Sequence, residues 1–507
     1  MLFNSFHFLL FFPIVTTLYF VLPHRYRWLL ILSASCYFYM AFIPKYILIL
    51  AVTIAVDYAA GLGLERLHGQ KRKLLLIASI LTNIGMLAFF KYFNFANENI
   101  AALSNFIGWQ YPIQNLEIIL PIGLSFHTFQ SLSYTIEVYR GRQKAERHLG
   151  YLALYVMFYP QLVAGPIERP QNILHQLHTE HKFDYERVTD GLKWMAWGMF
   201  KKVVIADRMA LFVNPVYDAP GEYSGPALVM ATLAFAIQIY CDFSGYSDIA
   251  LGSAQVMGIK LMKNFDHPYF SRSISEFWRR WHISLSTWFR DYVYIPLGGN
   301  RVVRSRWIFN LLLTFMISGL WHGANWTFLI WGALHGVYVV LLGLTEKFWD
   351  WVSRTIWLDK FPKLQNSIGI LSTFVLVCFA WVFFRANNIH DAIYITGHFF
   401  TGWKDYLLEI GSVIRSDAAN LTLFDRLFPL FALSLKWIPR GTIFFSGIAL
   451  LILVVIEVKQ YQGEFMVQFN RSPVYIRWTC YVILITLTLI LGTAYTGSEQ
   501  AFIYFQF

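Results

Sequence analysis

Long apolar runs alternate with short polar segments along the whole chain. A helix needs about 20 mostly apolar residues to cross a bilayer, and twelve runs approach that length. They lie at 6–23, 26–43, 46–64, 74–95, 118–138, 190–213, 226–250, 307–321, 326–345, 367–384, 442–458 and 478–495. This pattern predicts an all-α, multi-pass transmembrane protein with about eleven or twelve spans.

A further apolar run, 150–166, contains Pro160, Gly165 and Pro166, which interrupt a helix. Non-helical backbone is tolerated at membrane depth only where other protein covers it. We therefore expect a re-entrant segment here. Residues 1–24 contain no charged side chain, so they lack the positive region of a signal peptide, and we expect them to remain as the first span.

Lysine and arginine are concentrated in alternate loops, and such loops usually face the cytoplasm. Segment 65–73 is basic, and 258–306 contains nine lysines and arginines, whereas 96–117 and 214–225 contain none. We expect the first two segments inside and the other two outside, with both termini outside. The stretch 385–441 would then also lie outside, although its six basic and five acidic residues do not place it by charge.

Composition supports the membrane class. The 507 residues are 57% apolar and only 14% charged, whereas soluble domains usually carry about 25% charged residues. The net charge of +11 must lie in the loops, so no nucleic-acid partner is expected. Cys36, Cys241, Cys378 and Cys480 are widely separated, which predicts neither a disulfide framework nor a metal site.

Three stretches within 240–336 contain more ionisable groups than a lipid-facing helix tolerates. The first, YCDFSGYSDIALG at 240–252, places Asp242 and Asp248 after an apolar run. One interpretation is a helix that ends at the membrane interface, with both aspartates near water. A functional role is equally compatible with the pattern.

The second stretch, 273–299, shows the pattern of one amphipathic helix with His282 at its border. The apolar stripe, which spans about 80° of the helix, consists of Phe277, Trp281, Leu285, Trp288 and Tyr292. The opposite side carries Glu276, Arg279, Arg280, Arg290 and Asp291. The arginines fit lipid headgroups, but Arg279 and Arg280 are also candidates for bidentate contacts with donor phosphates.

The third stretch, 318–336, places His322 and His335 inside an otherwise apolar run. Such groups usually face a cavity or the interior of the helix bundle. On a continuous helix the two would point about 220° apart, so we do not expect them to act together. Gly319 and Gly323 flank His322 and would leave room for a ligand. The alternative is a structural His322 that joins two helices by a hydrogen bond.

Chemistry favours a functional His322. A neutral imidazole can take a proton from a hydroxyl near pH 7, and attack on a thioester needs little else except positioning. The chain contains no GxSxG, HExxH or GxxxxGK[ST] motif. Nothing therefore indicates a serine hydrolase, a zinc enzyme or an ATPase.

Five strings resemble the membrane-bound O-acyltransferase superfamily, and within it the bacterial branch that O-acetylates alginate. They are YCDFSGYSDIA at 240–250, SEFWRRWHISLSTWFRDYVYIPLGG at 275–299, WHGANW at 321–326, FQSLSYTIEVYRG at 129–141 and FYPQLVAGPIERP at 158–170. The resemblance implies a single domain over 1–507, with its core at 240–345 and a central funnel. It also implies that His322 is catalytic and that His282 is a second functional residue.

The resemblance further implies an O-acetyltransferase of the bacterial inner membrane. It would take acetyl groups from a cytoplasmic donor, acetyl-CoA, with no permanently bound cofactor or metal. It would deliver them outward for O-acetylation of an exported polysaccharide such as alginate. A separate extracytoplasmic acetyltransferase would complete the transfer, and 385–441 is the candidate segment for docking it.

Two other classes remain open from the residues alone. In a polysaccharide or acyl-donor transporter without chemistry of its own, Asp57 and the histidine-containing spans would form a proton or substrate path. Against this class, the sequence shows no paired broken helices in matching halves. In a purely structural subunit, 385–441 would dock an enzyme made by another chain.

Overall fold

The computed structural model describes residues 1–415, 438, 440–463, 465–496 and 502–503. Within this part the chain is helical and contains no strand. The α-helices are α1 Phe6–Val21, α2 His24–Met40, α3 Ile47–Arg66, α4 Gly69–Leu87, α5 Phe93–Phe106, α6 Leu124–Tyr139, α7 Leu149–Met157, α8 Pro170–His178, α9 Tyr185–Met199, α10 Asp207–Asp218, α11 Gly225–Val256, α12 Ile274–Arg280, α13 Ile283–Phe289, α14 Arg304–His322, α15 Trp326–Thr355, α16 Pro362–Arg385, α17 Ile389–His398, α18 Trp403–Arg415, α19 Arg440–Tyr461, α20 Phe465–Arg471 and α21 Val474–Thr496.

The predicted all-α, multi-pass class is confirmed. Each of the twelve apolar runs is mostly helical, although 118–123 is not helical and 190–213 contains α9, a π-helical turn and α10. Seven helical stretches in the described residues are long and apolar enough to cross a bilayer. The longest, Gly69–Phe106, contains 38 residues because a π-helical turn joins α4 to α5. The remaining runs form helices that are shorter or more polar.

The backbone between α7 and α8 is not helical, as the prolines and glycine in 150–166 predicted. Every residue from 154 to 168 is buried, so protein covers this irregular backbone. Glu168 accepts hydrogen bonds from the amide of Met262 and from Asn172 Nδ2. Burial raises the pKa of Glu168 to about 7.

The described chain forms two compact units. The first contains Met1–Gly198 and Tyr246–Asn264. Within it α3, α4 and α6 pack on one another, and α3 buries the carboxyl group of Asp57. Ser79 Oγ and Asn83 Nδ2 donate to that carboxyl group at 2.7 and 3.0 Å. A buried acid with these local donors needs no transport role to explain it.

The second unit contains Met199–Gly245 and Phe265–Ile503, and its central element is the helical hairpin α14–α15. Glycines make this close packing possible. A Cβ atom added at Gly319 would collide with the carbonyl oxygen of Phe328, and one added at Gly323 would collide with the Phe328 ring. The expectation that these glycines leave room for a ligand is therefore wrong, because Phe328 already fills that space.

Candidate active site

His322 is the last residue of α14, and a break separates it from α15. Gly323 is extended, and the side chain of Asn325 caps α15 by accepting a hydrogen bond from the amide of Thr327 at 3.0 Å. The stretch 318–336 is therefore not one continuous helix. The predicted 220° separation of His322 and His335 does not apply.

Three aromatic rings surround the His322 imidazole, which is only 5% exposed. Their centroids lie 4.9 Å (Trp321), 5.0 Å (Trp331) and 5.2 Å (Phe384) from the centroid of the imidazole. Trp331 also contacts His335, again with 5.0 Å between centroids. Both histidine rings therefore pack against one indole, a geometry that a continuous helix did not predict.

His282 lies at a second break, between α12 and α13. Trp281 is extended and His282 has φ 44° and ψ 55°, in the left-handed region. The predicted single amphipathic helix over 273–299 is therefore wrong. A non-glycine residue in this region costs on the order of 1–3 kcal/mol, and such strain concentrates at functional sites.

The predicted apolar stripe is nevertheless the buried side of these two short helices. Four of its five members are at most 5% exposed: Phe277, Trp281, Leu285 and Trp288. The pattern identified the buried side chains correctly but not the backbone that carries them. The turn at His282 lets the chain change direction while both helices keep their apolar sides inward.

His282 is fully buried between aromatic rings of the second unit. Its ring centroid lies 4.6 Å from that of Phe243 and 6.1 Å from that of Trp321. Trp321 thus contacts both His282 and His322, so the structure brings the two predicted site histidines to the same indole. Burial lowers the pKa of His282 to about 3, so the imidazole is neutral at pH 7 and weakly basic.

His335 is also fully buried and has a defined partner. The indole Nε1 of Trp278 donates a hydrogen bond to His335 Nδ1 across 3.2 Å. His335 therefore holds Trp278 on one side and contacts Trp331 on the other. The apolar pattern did not predict this contact between His335 and Trp278.

A cavity of about 440 Å³ opens beside these groups. Its wall includes Trp278, the hydrogen-bond partner of His335, and Ser318, one helical turn before His322. The exposed side chains of Arg279 and Arg290 also line it. The volume lies within the range of about 300–1,000 Å³ that is usual for small-molecule sites.

The two predicted donor-binding arginines differ in their surroundings. Arg279 lines the cavity, and the described residues offer it no ion pair. Arg280 instead pairs with Glu276 at 2.9 Å, donates to the carbonyl oxygen of Asp266 at 3.2 Å and lies over the ring of Tyr461. Arg279 is thus the better placed of the two to meet an anionic ligand.

The second unit also contains a buried ion cluster that the sequence analysis did not identify. Lys202 Nζ lies 2.7 Å from Asp207 and 2.6 Å from Asp242, and the backbone amide of Ile503 donates to Asp242 at 2.8 Å. Asp242 lies in the middle of α11, which continues to Val256. The interpretation of a helix end at the interface is therefore wrong for Asp242. A lysine in the apolar run 190–213 was the available signal.

Trp331 and Phe384 were also missed as parts of the site. Both are 1% exposed and pack against His322, and the fully buried Trp381 stacks behind on Trp331. Nothing in an apolar run distinguishes such a side chain from ordinary core. Only the packing of α15 against α16 brings Trp331 and Trp381 together.

Comparison with known proteins supports an acyltransferase site. A family model described as MBOAT, membrane-bound O-acyltransferase family, matches residues 147–388, which include His282, His322 and His335. A probable alginate O-acetylase of Azotobacter vinelandii is 40% identical over 396 residues, which are 77% of this chain and 76% of the relative. A peptidoglycan O-acetyltransferase of Helicobacter pylori is 35% identical over 393 residues, 72% of each chain.

The name of a less similar relative specifies a different acyl group. A teichoic acid D-alanyltransferase of Bacillus subtilis is 29% identical over 294 residues, which are 55% of this chain and 72% of the relative. The matched relatives thus share acyl transfer, although the acyl groups and acceptors in their names differ. With its apolar helices and these relatives, the chain belongs to the membrane-bound O-acyltransferase family as a multi-pass O-acyltransferase.

Proposed function

We propose that this protein takes acetyl groups from acetyl-CoA at the cytoplasmic face of a bacterial inner membrane. It passes them outward for O-acetylation of an exported polysaccharide such as alginate. The names of the matched relatives support this choice, since alginate O-acetylases are 40% identical over about three quarters of the chain. The peptidoglycan O-acetyltransferase supports the same acyl group and a cell-surface polymer as acceptor.

The observation that carries the proposal is the position of His322. It lies at the end of a broken helix, in contact with Trp321 and Trp331, one turn from the wall of a cavity. His282 reaches the same Trp321 from another break. The site thus combines a histidine for proton transfer with a cavity for a ligand, as thioester chemistry requires.

In the proposed reaction His322 acts as the general base. It takes the proton from an acceptor hydroxyl, whose oxygen attacks the carbonyl carbon of the acetyl thioester. The new C–O bond forms and the C–S bond breaks, and the thiolate leaves with the bonding electrons. The imidazolium of His322 then returns its proton to the sulfur. The base is thereby regenerated, and no other reactant is needed.

His282 has a supporting role in this proposal. A base is most effective when its pKa lies near the working pH, and the low pKa of His282 makes it a poor proton acceptor. Its neutral ring, fixed against Trp321 by a strained backbone, is suited to orienting a ligand instead. His322 is therefore assigned the proton transfer and His282 the positioning.

The cavity is the proposed donor site. Its lining is mainly apolar, which suits the uncharged arm that carries the thioester, and Arg279 is exposed where it can meet phosphates. Arg290 also lines the cavity but already pairs with Asp291 at 2.8 Å. Arg280 remains a candidate of lower priority because Glu276 already neutralises it. This arrangement favours acetyl-CoA over an uncharged donor.

A separate extracytoplasmic acetyltransferase is the proposed partner, and 385–441 is its proposed docking segment. Within the described part of this segment, large apolar side chains are exposed: Phe400 in the turn between α17 and α18, and Leu407 and Leu408 in α18. Residues 416–437 lie outside the described residues. Crosslinkers placed in α17 and α18 should capture the partner. Unchanged surface acetylation after shortening a stably expressed protein would argue against docking.

The proposed orientation can be tested independently of activity. Single cysteines at positions 70, 100 and 220, in a protein whose four native cysteines have been replaced, should differ in their labelling by an impermeant reagent applied from outside. We expect labelling at 100 and 220 but not at 70. Labelling at 70 would reverse the proposed orientation.

The decisive test of the function is acetyl transfer by the purified protein. With labelled acetyl-CoA and an oligosaccharide acceptor, or the partner in its place, the wild-type protein should consume donor and His322→Ala should not. A transporter or a purely structural subunit would consume none in either form. Monodispersity of both proteins is the control for folding.

A further inference from the structure

Trp331 carries a buried donor that the fold itself does not satisfy. Its side chain is 1% exposed, and among the described residues its indole Nε1–H has no hydrogen-bond partner. Leaving such a group unpaired costs about 1–3 kcal/mol. Other buried groups in the described residues also lack a partner, Trp381 Nε1 among them, but Trp331 is the one that packs against His322.

The indole of Trp331 is fixed in place by its neighbours. Trp381 stacks on it with 5.8 Å between centroids and 16° between planes. Trp278, His335 and Phe384 meet it at steep angles, with centroid distances of 5.7, 5.0 and 5.2 Å. These contacts restrict rotation of the indole, so its N–H keeps one direction.

This fixed donor lies beside the proposed base. The planes of His322 and Trp331 are perpendicular, at 89°, and their centroids are 5.0 Å apart. A carbonyl group attacked next to His322 would therefore lie close to the Trp331 ring. Attack turns the carbonyl oxygen into an oxyanion, which a preorganised donor in a dry site stabilises strongly.

We propose that the Trp331 Nε1–H is the hydrogen-bond donor for the carbonyl oxygen of the acetyl group while His322 takes the acceptor proton. The inference rests on the proposed acetyl transfer and adds a second catalytic residue to it. The ligand oxygen supplies the partner that the indole lacks in the fold. His335 and Trp278 are positioning residues that hold the indole from one side.

The test compares variants that remove the N–H but keep the ring. Trp331→Phe, and replacement of Trp331 by benzothienylalanine, in which sulfur takes the place of the N–H, should lower kcat for acetyl transfer about 10²- to 10³-fold. KM for acetyl-CoA should change only a few-fold, because the oxyanion exists only during attack. Thermal stability of the benzothienylalanine protein should match that of the wild type.

Trp381→Phe is the matched control. Trp381 is fully buried, stacks on Trp331 and likewise has an indole N–H without a partner among the described residues. If Trp331→Phe lowered kcat only through lost packing, Trp381→Phe would lower kcat to the same extent. We expect a loss of only a few-fold for Trp381→Phe.

The outcomes separate this inference from the proposed function. Wild-type kcat in a benzothienylalanine protein, together with an inactive His322→Ala, would overturn the role of Trp331 and leave the acetyl transfer standing. An active His322→Ala would overturn both. If Trp331→Phe fails to fold, the isosteric analogue alone decides the question.

Discussion

The indole Nε1 of Trp278 donates a hydrogen bond to Nδ1 of His335, 3.2 Å away. A tryptophan N–H can only donate, so Nδ1 accepts and the neutral imidazole carries its proton on Nε2. The bond joins α12 to α15 and fixes the edge of the cavity beside Trp331. His335 therefore affects the reaction through Trp278 and Trp331 rather than by proton transfer.

We predict that His335→Ala lowers kcat about 10-fold, far less than His322→Ala, because it loosens a positioning contact. Trp278→Phe should produce a similar loss, since it removes the same hydrogen bond. The double variant should be no worse than either single variant, because residues joined by one hydrogen bond are not additive. Acetyl-transfer kinetics of the three proteins test this relationship, and additive losses would contradict it.

His322→Ala should remove nearly all acetyl transfer. General-base assistance is typically worth about 10²- to 10⁴-fold in rate, and His322 is the histidine at the end of α14 beside the cavity. His282→Ala should reduce transfer less completely, since the role proposed for His282 is to orient a ligand. Labelled acetyl transfer by each purified variant measures both effects.

The control for these histidine variants is folding. Loss of one helix–helix hydrogen bond in a membrane costs only about 0.6 kcal/mol on average, so His322→Ala should remain monodisperse. In His282→Ala the residue still has a Cβ atom in the left-handed backbone conformation, so the substitution does not relieve the strain at position 282. Near-normal turnover by a folded His322→Ala protein would instead favour a structural histidine.

Arg279→Ala and Arg280→Ala should affect different properties. Loss of a hydrogen bond to a charged group costs about 1.5–3 kcal/mol, so Arg279→Ala should raise KM for acetyl-CoA by about 10- to 100-fold. Arg280→Ala should mainly lower thermal stability, because Arg280 binds Glu276 and the carbonyl oxygen of Asp266. Equal effects on KM would show that both arginines contact the donor.

Apolar periodicity was sufficient to predict the helices but not their breaks. The runs of apolar residues located every long helix, since burial in lipid or protein demands them. At the break at His282 the imidazole packs against Phe243, a residue distant in the sequence, and no local propensity encodes that contact. The break after His322 does have local signals, Gly323 and the capping Asn325, but apolar periodicity does not detect them. Periodicity alone therefore predicted helices that continue through both positions.

The sequence was sufficient to identify the two site histidines but not Trp331, the tryptophan between His322 and His335. His282 and His322 stood out because ionisable groups are rare in apolar stretches, and the structure brings both to Trp321. Trp331 did not stand out, because an aromatic residue in an apolar helix is ordinary. Its importance follows only from its missing hydrogen-bond partner and its neighbours.

Gly319→Ala should destabilise the protein. The added methyl group would collide with the carbonyl oxygen of Phe328 on α15, and backbone cannot move aside as a flexible side chain can. Overpacking of this kind typically costs about 1–3 kcal/mol. The control is Gly447→Ala in α19, where a Cβ atom meets nothing within 4 Å. Thermal unfolding in detergent should show a loss for the first variant and little change for the second.

Glu168 should make the stability of the folded protein depend on pH. Burial raises its pKa from an ordinary value of 4.5 to about 7 in the folded protein. Between these values the unfolded chain has released the proton while the folded chain still holds it. The contribution of Glu168 to stability is therefore greatest below the lower value and falls as pH rises through the higher one.

Glu168→Gln should abolish this dependence, because an amide does not titrate, while its carbonyl oxygen can still accept the hydrogen bond from Met262. The wild-type protein should lose thermal stability relative to the variant between about pH 5 and pH 8. Thermal unfolding of both proteins across that range measures the difference, and unrelated titrations cancel because the proteins are otherwise identical. A difference that stays constant with pH would mean that Glu168 keeps the same charge throughout. Its carboxylate would then be ionised despite burial, with Met262 and Asn172 stabilising the charge.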